Sequence, residues 1–216
     1  LLDMRWRDAS GTVQATQSAV SHFGVGLLIA STGDSNPAFE YESTPTATSA
    51  KLALMTRTTP GSWALQSTPG YGLAKLADAL YGEFGVPIGS MNFAQGGSTL
   101  DQWSTDTAGN TTLFANQLKT NGPVLCWISQ VGYNDCSQNL FATRDEQLGK
   151  FQTLFSFVRN ITGNIGLGGA VLPVLIVGSA SNYSKADPAP ALSVLNRQAE
   201  LLVAREADNH YTISQA

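Results

Sequence analysis

The amino-acid sequence predicts an α/β protein with three layers (α/β/α), in which helices cover both faces of a central, mainly parallel five-stranded sheet. From residue 25 onward, short apolar runs alternate with amphipathic stretches, which is the pattern of a parallel sheet with covering helices. The chain has 216 residues, of which 43% are hydrophobic and 13% charged, enough for one domain with a substantial core.

The first 23 residues have a different pattern. They alternate apolar and polar side chains and then reach Ser10-Gly11, which has turn chemistry, so the segment predicts a β-hairpin. Residues 1–23 are either the end of a preceding β-module or an edge hairpin of the main domain, which we assign to residues 24–216. Because the chain begins at Leu1, without an initiator Met or a signal-peptide pattern, we expect a processed or excised piece.

Five short apolar runs predict the strands of the main sheet, and apolar residues at three- and four-residue steps predict the helices between them. The predicted strands are Val25–Ala30, Ile88–Phe93, Val124–Ser129, Val171–Val177 and Tyr211–Ser214. The helical stripes are Leu73, Leu76, Leu80 and Phe84, then Leu148, Phe151, Phe155 and Val158, and finally Leu192, Leu195, Ala199 and Leu202. Gly85 and Pro87 are expected to end the first helix.

The stretch from Pro37 to Pro69 shows no clear period and is rich in Ser, Thr and Pro. A segment of that length without secondary structure inside a compact domain is usually a functional loop. We therefore expect a long functional loop there.

Composition and charge exclude several partners. The net charge is −4 and Lys and Arg do not cluster, which argues against a nucleic-acid-binding surface. The longest apolar runs are far shorter than the roughly 20 residues that cross a bilayer, so no membrane span is predicted. Cys126 and Cys136 lie close in the sequence, with the first inside a predicted strand, and they do not establish the redox compartment.

Small and amide-bearing residues follow three of the predicted strands. Ligands of open parallel sheets bind where the carboxyl ends of the strands converge, so these residues are candidates for a site. Ser35 offers a hydroxyl nucleophile, Gly97 a backbone N–H unobstructed by a side chain, and Asn134 a carboxamide. Together they have the chemistry to attack an acyl carbon and stabilise the resulting oxyanion.

The sequences Gly33-Asp34-Ser35-Asn36, Gly96-Gly97-Ser98 and Gly132-Tyr133-Asn134-Asp135 resemble blocks I, II and III of the SGNH, or GDSL-type, hydrolases, in the same order and at similar spacing. The resemblance extends over about residues 24 to 214 and is strongest to sialate O-acetylesterase-like and carbohydrate acetylesterase-like members. Those members commonly have Gln where this chain has Asp34. The resemblance implies the flavodoxin-like SGNH hydrolase fold.

The same resemblance implies roles for individual residues. Ser35 would be the nucleophile, and its own backbone N–H, Gly97 and Asn134 would donate to the oxyanion. Trp103 would lie near the substrate or pack its loop onto the domain, and Asn36 and Asp135 would hold the loops in place. The expected partner is a small-molecule or glycan ester. No metal or organic cofactor is expected, because acyl transfer requires none and no cluster has metal-ligand spacing.

The general base is the missing element. His22 and His210 both come at the amino ends of predicted strands, away from the edge where Ser35 is expected. The family pairs Asp with His as Asp-x-x-His, whereas this chain has Asp208-Asn209-His210. Three explanations remain open: the Asp/His loop lies beyond the end of the chain, His210 acts with Asp208, or the domain has no base.

These observations favour a serine esterase that removes O-acetyl or similar short acyl groups from carbohydrate. The alternative from a different class is a catalytically silent carbohydrate-binding or adhesin domain on the same fold. A third hypothesis is an unrelated doubly wound binding module whose strand-end glycines bind a nucleotide.

Overall fold

The computed structural model describes residues 3–7, 10, 12–18, 26–34, 52–65, 71–163, 166, 171–178, 190–206 and 209–212. Near the N-terminus, strands β1 (Asp3–Arg7) and β2 (Val13–Ser18) pair antiparallel, as the alternation predicts. They form a two-stranded sheet of their own rather than an edge of the main sheet. The division of the chain at residue 23 stays a prediction.

Among the residues that the structure describes, the main sheet has seven strands, in the order β5-β4-β6-β3-β7-β8-β9. All its pairs are parallel except the short β4–β5 pair. The strands are β3 (Leu27–Gly33), β4 (Leu52–Thr56), β5 (Ala64–Leu65), β6 (Ile88–Asn92), β7 (Cys126–Gln130), β8 (Val174–Val177) and β9 (Asn209–Thr212). The five strands predicted from the sequence are therefore five consecutive neighbours of this sheet, and the mainly parallel architecture is confirmed.

The expectation of one unstructured loop from Pro37 to Pro69 is wrong in its second half. β4 and β5 lie inside that stretch, and β4 pairs parallel with β6, with Leu52 opposite Ile88. The sequence signal was the short apolar run Leu52–Met55, which lies between Lys51 and Thr56. A four-residue run has no measurable period, so only burial against the neighbouring strand distinguishes it from a loop. Residues 37–51 and 66–69 lie outside the described residues.

Within the described ranges, six helices connect the strands: α1 (Tyr71–Phe84), α2 (Leu100–Thr105), α3 (Asn110–Asn121), α4 (Tyr133–Ser137), α5 (Arg144–Thr162) and α6 (Pro190–Val203). The first ends as predicted, since Gly85 has a φ of +68° and its N–H donates to Tyr81 O at 2.8 Å. Within the described part of the chain, no helix is long and apolar enough to span a bilayer.

Helices cover both faces of the sheet. On one face, Ile29 and Ile88 form a small core with Ala77 of α1. On the other face lies a larger core that includes Trp127 of β7 and Phe155 of α5, whose ring centroids are 5.2 Å apart in an edge-to-face contact, together with side chains of α3 and α6. Because successive residues of a strand point to opposite faces, both cores are built on the same strands. This is the predicted three-layer α/β/α arrangement.

No disulfide joins Cys126 and Cys136, both of which lie within the described residues. Burial raises the pKa of the Cys126 thiol, which lies in β7 beside the smaller core, and so favours its protonated form. The Cys136 thiol donates a hydrogen bond to Gly132 O at 3.3 Å. Neither observation gives the thiols the features of a nucleophile.

Candidate active site

The carboxyl ends of β3, β6 and β7 lie side by side at one edge of the sheet. β3 is the middle strand of the three, with Gly33 opposite Gln130 of β7. Just beyond the strands, Gln95 N–H donates to Gly33 O at 2.9 Å and Asp34 N–H donates to Gln130 O at 3.2 Å. The end of β3 and the loops after β6 and β7 therefore meet at the edge where ligands bind in parallel sheets.

The predicted nucleophile lies outside the described residues. Ser35 and Asn36 follow Asp34 directly in the sequence, and the description ends at Asp34. Asp34 itself is buried, with 1% of its surface exposed. The structure therefore describes the strand end that carries the serine and the two neighbouring loops.

Ser98 links the loop after β6 to the end of β3. Its hydroxyl lies 3.2 Å from Gly33 O and 2.8 Å from Gln95 O, and it can donate its single proton to either. The same oxygen accepts a hydrogen bond from Trp103 Nε1 at 2.9 Å. Sequence reasoning quoted Ser98 only as the third residue of a motif and missed this role, because the contact with Gly33 joins residues far apart in the sequence.

The Asn134 carboxamide lies next to that loop. Its Nδ2 donates to Ser98 O at 2.8 Å. A carboxamide nitrogen carries two hydrogens, so one is used to orient the side chain and the second is available to another acceptor. The loop after β7 thus presents an oriented donor beside the loop after β6.

Gly97 has the backbone conformation that favours glycine. Its φ is +78°, and a Cβ added there would meet no atom within 4 Å. The glycine is therefore required by the turn rather than by contact with the rest of the protein. Within the described part of the chain, its N–H donates to no acceptor.

Asp135 joins the loop after β7 to the beginning of α2. Its buried carboxyl group accepts from Leu100 N–H at 2.5 Å and from Asp101 N–H at 3.1 Å, satisfying two amides of the first helical turn. Burial raises the pKa of Asp135, although the two amide hydrogen bonds and the Lys150 ammonium group act in the opposite direction. The arrangement fits a residue that holds loops in place, as expected.

Trp103 lies in the core rather than at an open surface. Only 1% of it is exposed, and its ring belongs to the larger core cluster. Of the two roles considered for it, the contacts fit packing of the loop onto the domain, with Nε1 donating to Ser98 at the same time. Thr99 begins α2 with a capping box, in which its hydroxyl accepts from Gln102 N–H at 3.1 Å.

The structure places no histidine at this edge among the residues it describes. Through the registers of β7 and β8, the backbone of His210 is level with Ser31 on β3, three strands away. That separation corresponds to about 14 Å at the usual strand spacing. His22 and Asp208 lie outside the described residues.

No protein-family model and no curated protein matches this chain. Solved structures do match. A protein from Arabidopsis thaliana is 14% identical, with a TM-score of 0.63, over 88% of this chain and 86% of the other. A carbohydrate acetylesterase from Xanthomonas citri is 16% identical, with a TM-score of 0.60. The match covers 88% of this chain and 50% of the other.

A third similar structure comes from Parabacteroides merdae and is named as a GDSL-like lipase. It is 12% identical, with a TM-score of 0.55, over 88% of this chain and 78% of the other. This chain has the fold of the SGNH/GDSL-type hydrolases. In this structure Ser98 connects the loop after β6 to the end of β3, and Asp135 connects the loop after β7 to the beginning of α2.

Proposed function

We propose that this chain is a serine ester hydrolase that removes acetyl or similar short acyl groups from a carbohydrate or small-molecule ester. The observation that carries the proposal is the meeting of three strand ends at one edge, with Ser98 bonded to Gly33 and to Asn134. The donors support it as well, because the Asn134 carboxamide and the Gly97 N–H can each donate a hydrogen bond to an oxyanion. The similarity to carbohydrate acetylesterases suggests the substrate class.

In the proposed reaction, the Ser35 hydroxyl oxygen attacks the acyl carbon and the ester carbonyl oxygen becomes an oxyanion. The second N–H of Asn134 and the backbone N–H of Gly97 donate to that oxygen. The C–O bond to the alcohol then breaks, the alcohol leaves with a proton, and water releases the carboxylic acid from the acyl-enzyme. We assign no residue to the base that accepts the serine proton.

The test is hydrolysis of p-nitrophenyl acetate by the full chain and by its Ser35→Ala variant. We expect the substitution to abolish turnover above the uncatalysed rate, because the acyl-enzyme cannot form. Ser62→Ala is the matched control, since it makes the same chemical change at an exposed loop position. Equal rates for the wild type and Ser35→Ala would contradict the proposal.

A phenylmethylsulfonyl fluoride label provides a second readout. A reactive serine is sulfonylated, and peptide mass spectrometry then locates the added mass. We expect the label on Ser35 and on no other serine. Acetate release from acetylated xylose compared with butyrate release from the corresponding butyrate ester tests the preference for a short acyl group.

A further inference from the structure

Behind the loop after β7, three polar side chains are completely buried between α5 and α6. Gln147, Asn196 and Glu200 are each 0% exposed. Gln147 Nε2 donates to Asn196 Oδ1 at 2.6 Å, and Asn196 Nδ2 donates to Glu200 Oε1 at 2.8 Å. Burial of such groups is costly unless they are hydrogen-bonded, so these bonds hold the Asn196 carboxamide in one orientation.

The Asn196 carboxamide lies against Gly132. A Cβ added at Gly132 would lie 2.6 Å from Asn196 Oδ1, 3.1 Å from Nδ2 and 3.2 Å from Cγ. The amide group therefore occupies the space that a side chain would take at that position. Gly132 also has a φ of +109°, a region that residues with a Cβ rarely adopt.

Gly132 is the first residue of the turn that carries Asn134. It is the N-cap of α4, and its carbonyl oxygen accepts from Cys136 N–H at 3.3 Å. Asn134 follows two residues later, with its Nδ2 bonded to Ser98 O. A shift of Gly132 would therefore move the turn and change the direction of the Asn134 amide.

We propose that Asn196 is a positioning residue for the Asn134 donor: held by Gln147 and Glu200, its carboxamide supports the backbone of Gly132 and so sets the orientation of Asn134. This inference rests on the proposed function, in which Asn134 stabilises the oxyanion. The polarity of the three side chains supports it. An apolar residue at position 196 could fill space, but it could not be held in one orientation by hydrogen bonds from both sides.

The experiment removes one hydrogen bond and then reinstates it with donor and acceptor exchanged. Asn196→Asp has nearly the same shape and still accepts from Gln147, but it places a second oxygen against the Glu200 carboxyl group. Asn196→Asp combined with Glu200→Gln reinstates the bond in the opposite direction, because the amide introduced at position 200 donates to the carboxylate introduced at position 196. The two changes together keep one carboxyl group and one carboxamide in the pair.

We expect Asn196→Asp to lower kcat for p-nitrophenyl acetate by about tenfold with KM within about twofold, because a displaced oxyanion donor affects the transition state more than substrate binding. The double variant should recover most of kcat. Val158→Ala is the control: it truncates a fully buried core residue of α5, about three helical turns along the helix from Gln147, and should lower the melting temperature. It should leave kcat unchanged.

The Asn134 side-chain amide resonances give a readout that does not depend on activity. They are assigned by their absence in Asn134→Asp, and we expect them to shift or broaden in Asn196→Asp and to return in the double variant. Unchanged resonances and unchanged kcat in Asn196→Asp would overturn the positioning role even if stability falls. If the wild type shows no Ser35-dependent hydrolysis, the proposed function fails, and the resonances still decide whether Asn196 orients Asn134.

Discussion

The loops after β6 and β7 lie side by side at the same edge, but different side chains hold them. The loop after β6 is held by a neutral hydroxyl, Ser98, which donates to Gly33 O or Gln95 O and accepts from Trp103 Nε1. The loop after β7 is held by a buried carboxyl group, Asp135, which accepts from two amides of α2. The loop after β6 therefore depends on neutral hydrogen bonds, whereas the loop after β7 depends on a group whose charge can change.

The largest effect is expected where both loops meet, at Asn134. Asn134→Ala removes the donor and its bond to Ser98 O, and should lower kcat for p-nitrophenyl acetate by about 10²–10³-fold with a small change in KM. Asn116→Ala, an exposed asparagine of α3, is the control and should retain wild-type kcat. Wild-type kcat in Asn134→Ala would mean that the meeting of the loops does not build an oxyanion site.

Breaking the carboxyl connection should cost stability. Asp135→Asn replaces one accepting oxygen with an NH₂ group that faces a backbone N–H, and should lower the free energy of unfolding by about 2 kcal/mol. Asp101→Asn is the comparison, since its pair with Lys150 at 3.1 Å involves a half-exposed side chain and should cost less than about 1 kcal/mol. Urea titration measures the free energy of unfolding of both variants. Equal losses would contradict the expected difference between the buried and the surface carboxyl group.

A smaller effect is expected for the neutral connection. Ser98→Ala and Trp103→Phe each remove one side of the 2.9 Å hydrogen bond between them. In a double-mutant cycle we expect a coupling of about 1 kcal/mol in the free energy of unfolding, the usual value for one hydrogen bond. Strictly additive losses would show that the tryptophan is held by packing alone.

The smallest effect is a pH dependence confined to the loop after β7. Because the pKa of Asp135 is raised on folding, its contribution to stability is present below the ordinary carboxyl value near 3.8 and is lost as pH rises through the folded-state value. The stability difference between wild type and Asp135→Asn should therefore shrink as pH increases from about 3 to about 7. A difference that grows with pH would show that the amide hydrogen bonds outweigh burial.

Much of the fold could be predicted because it is recorded in local patterns. The stripe of Phe151, Phe155 and Val158 on α5 identifies the buried face of that helix from its spacing alone. β4 could not be predicted in the same way, since a four-residue apolar run has no period to measure. Its identity as a strand depends on pairing with β6, a contact between distant parts of the chain.

The same distinction between local patterns and contacts of distant segments applies to the candidate site. Gly97 and Asn134 could be singled out because each follows a predicted strand and has a recognisable chemistry. The role of Ser98 in connecting the loop after β6 to β3 could not be predicted, because its contact with Gly33 O depends on the register of β3 and β6. The same is true of Asn196, whose importance comes from its contact with Gly132.

By itself, the sequence determined which residues face a core and which residue types follow each strand, since periodicity and strand ends are properties of a few neighbouring residues. Only the tertiary structure decided which of those residues touch: Ser98 with Gly33, and Asp135 with the first turn of α2. The physical reason is that hydrogen bonds between distant segments depend on strand register and helix placement, and packing of the whole chain sets both.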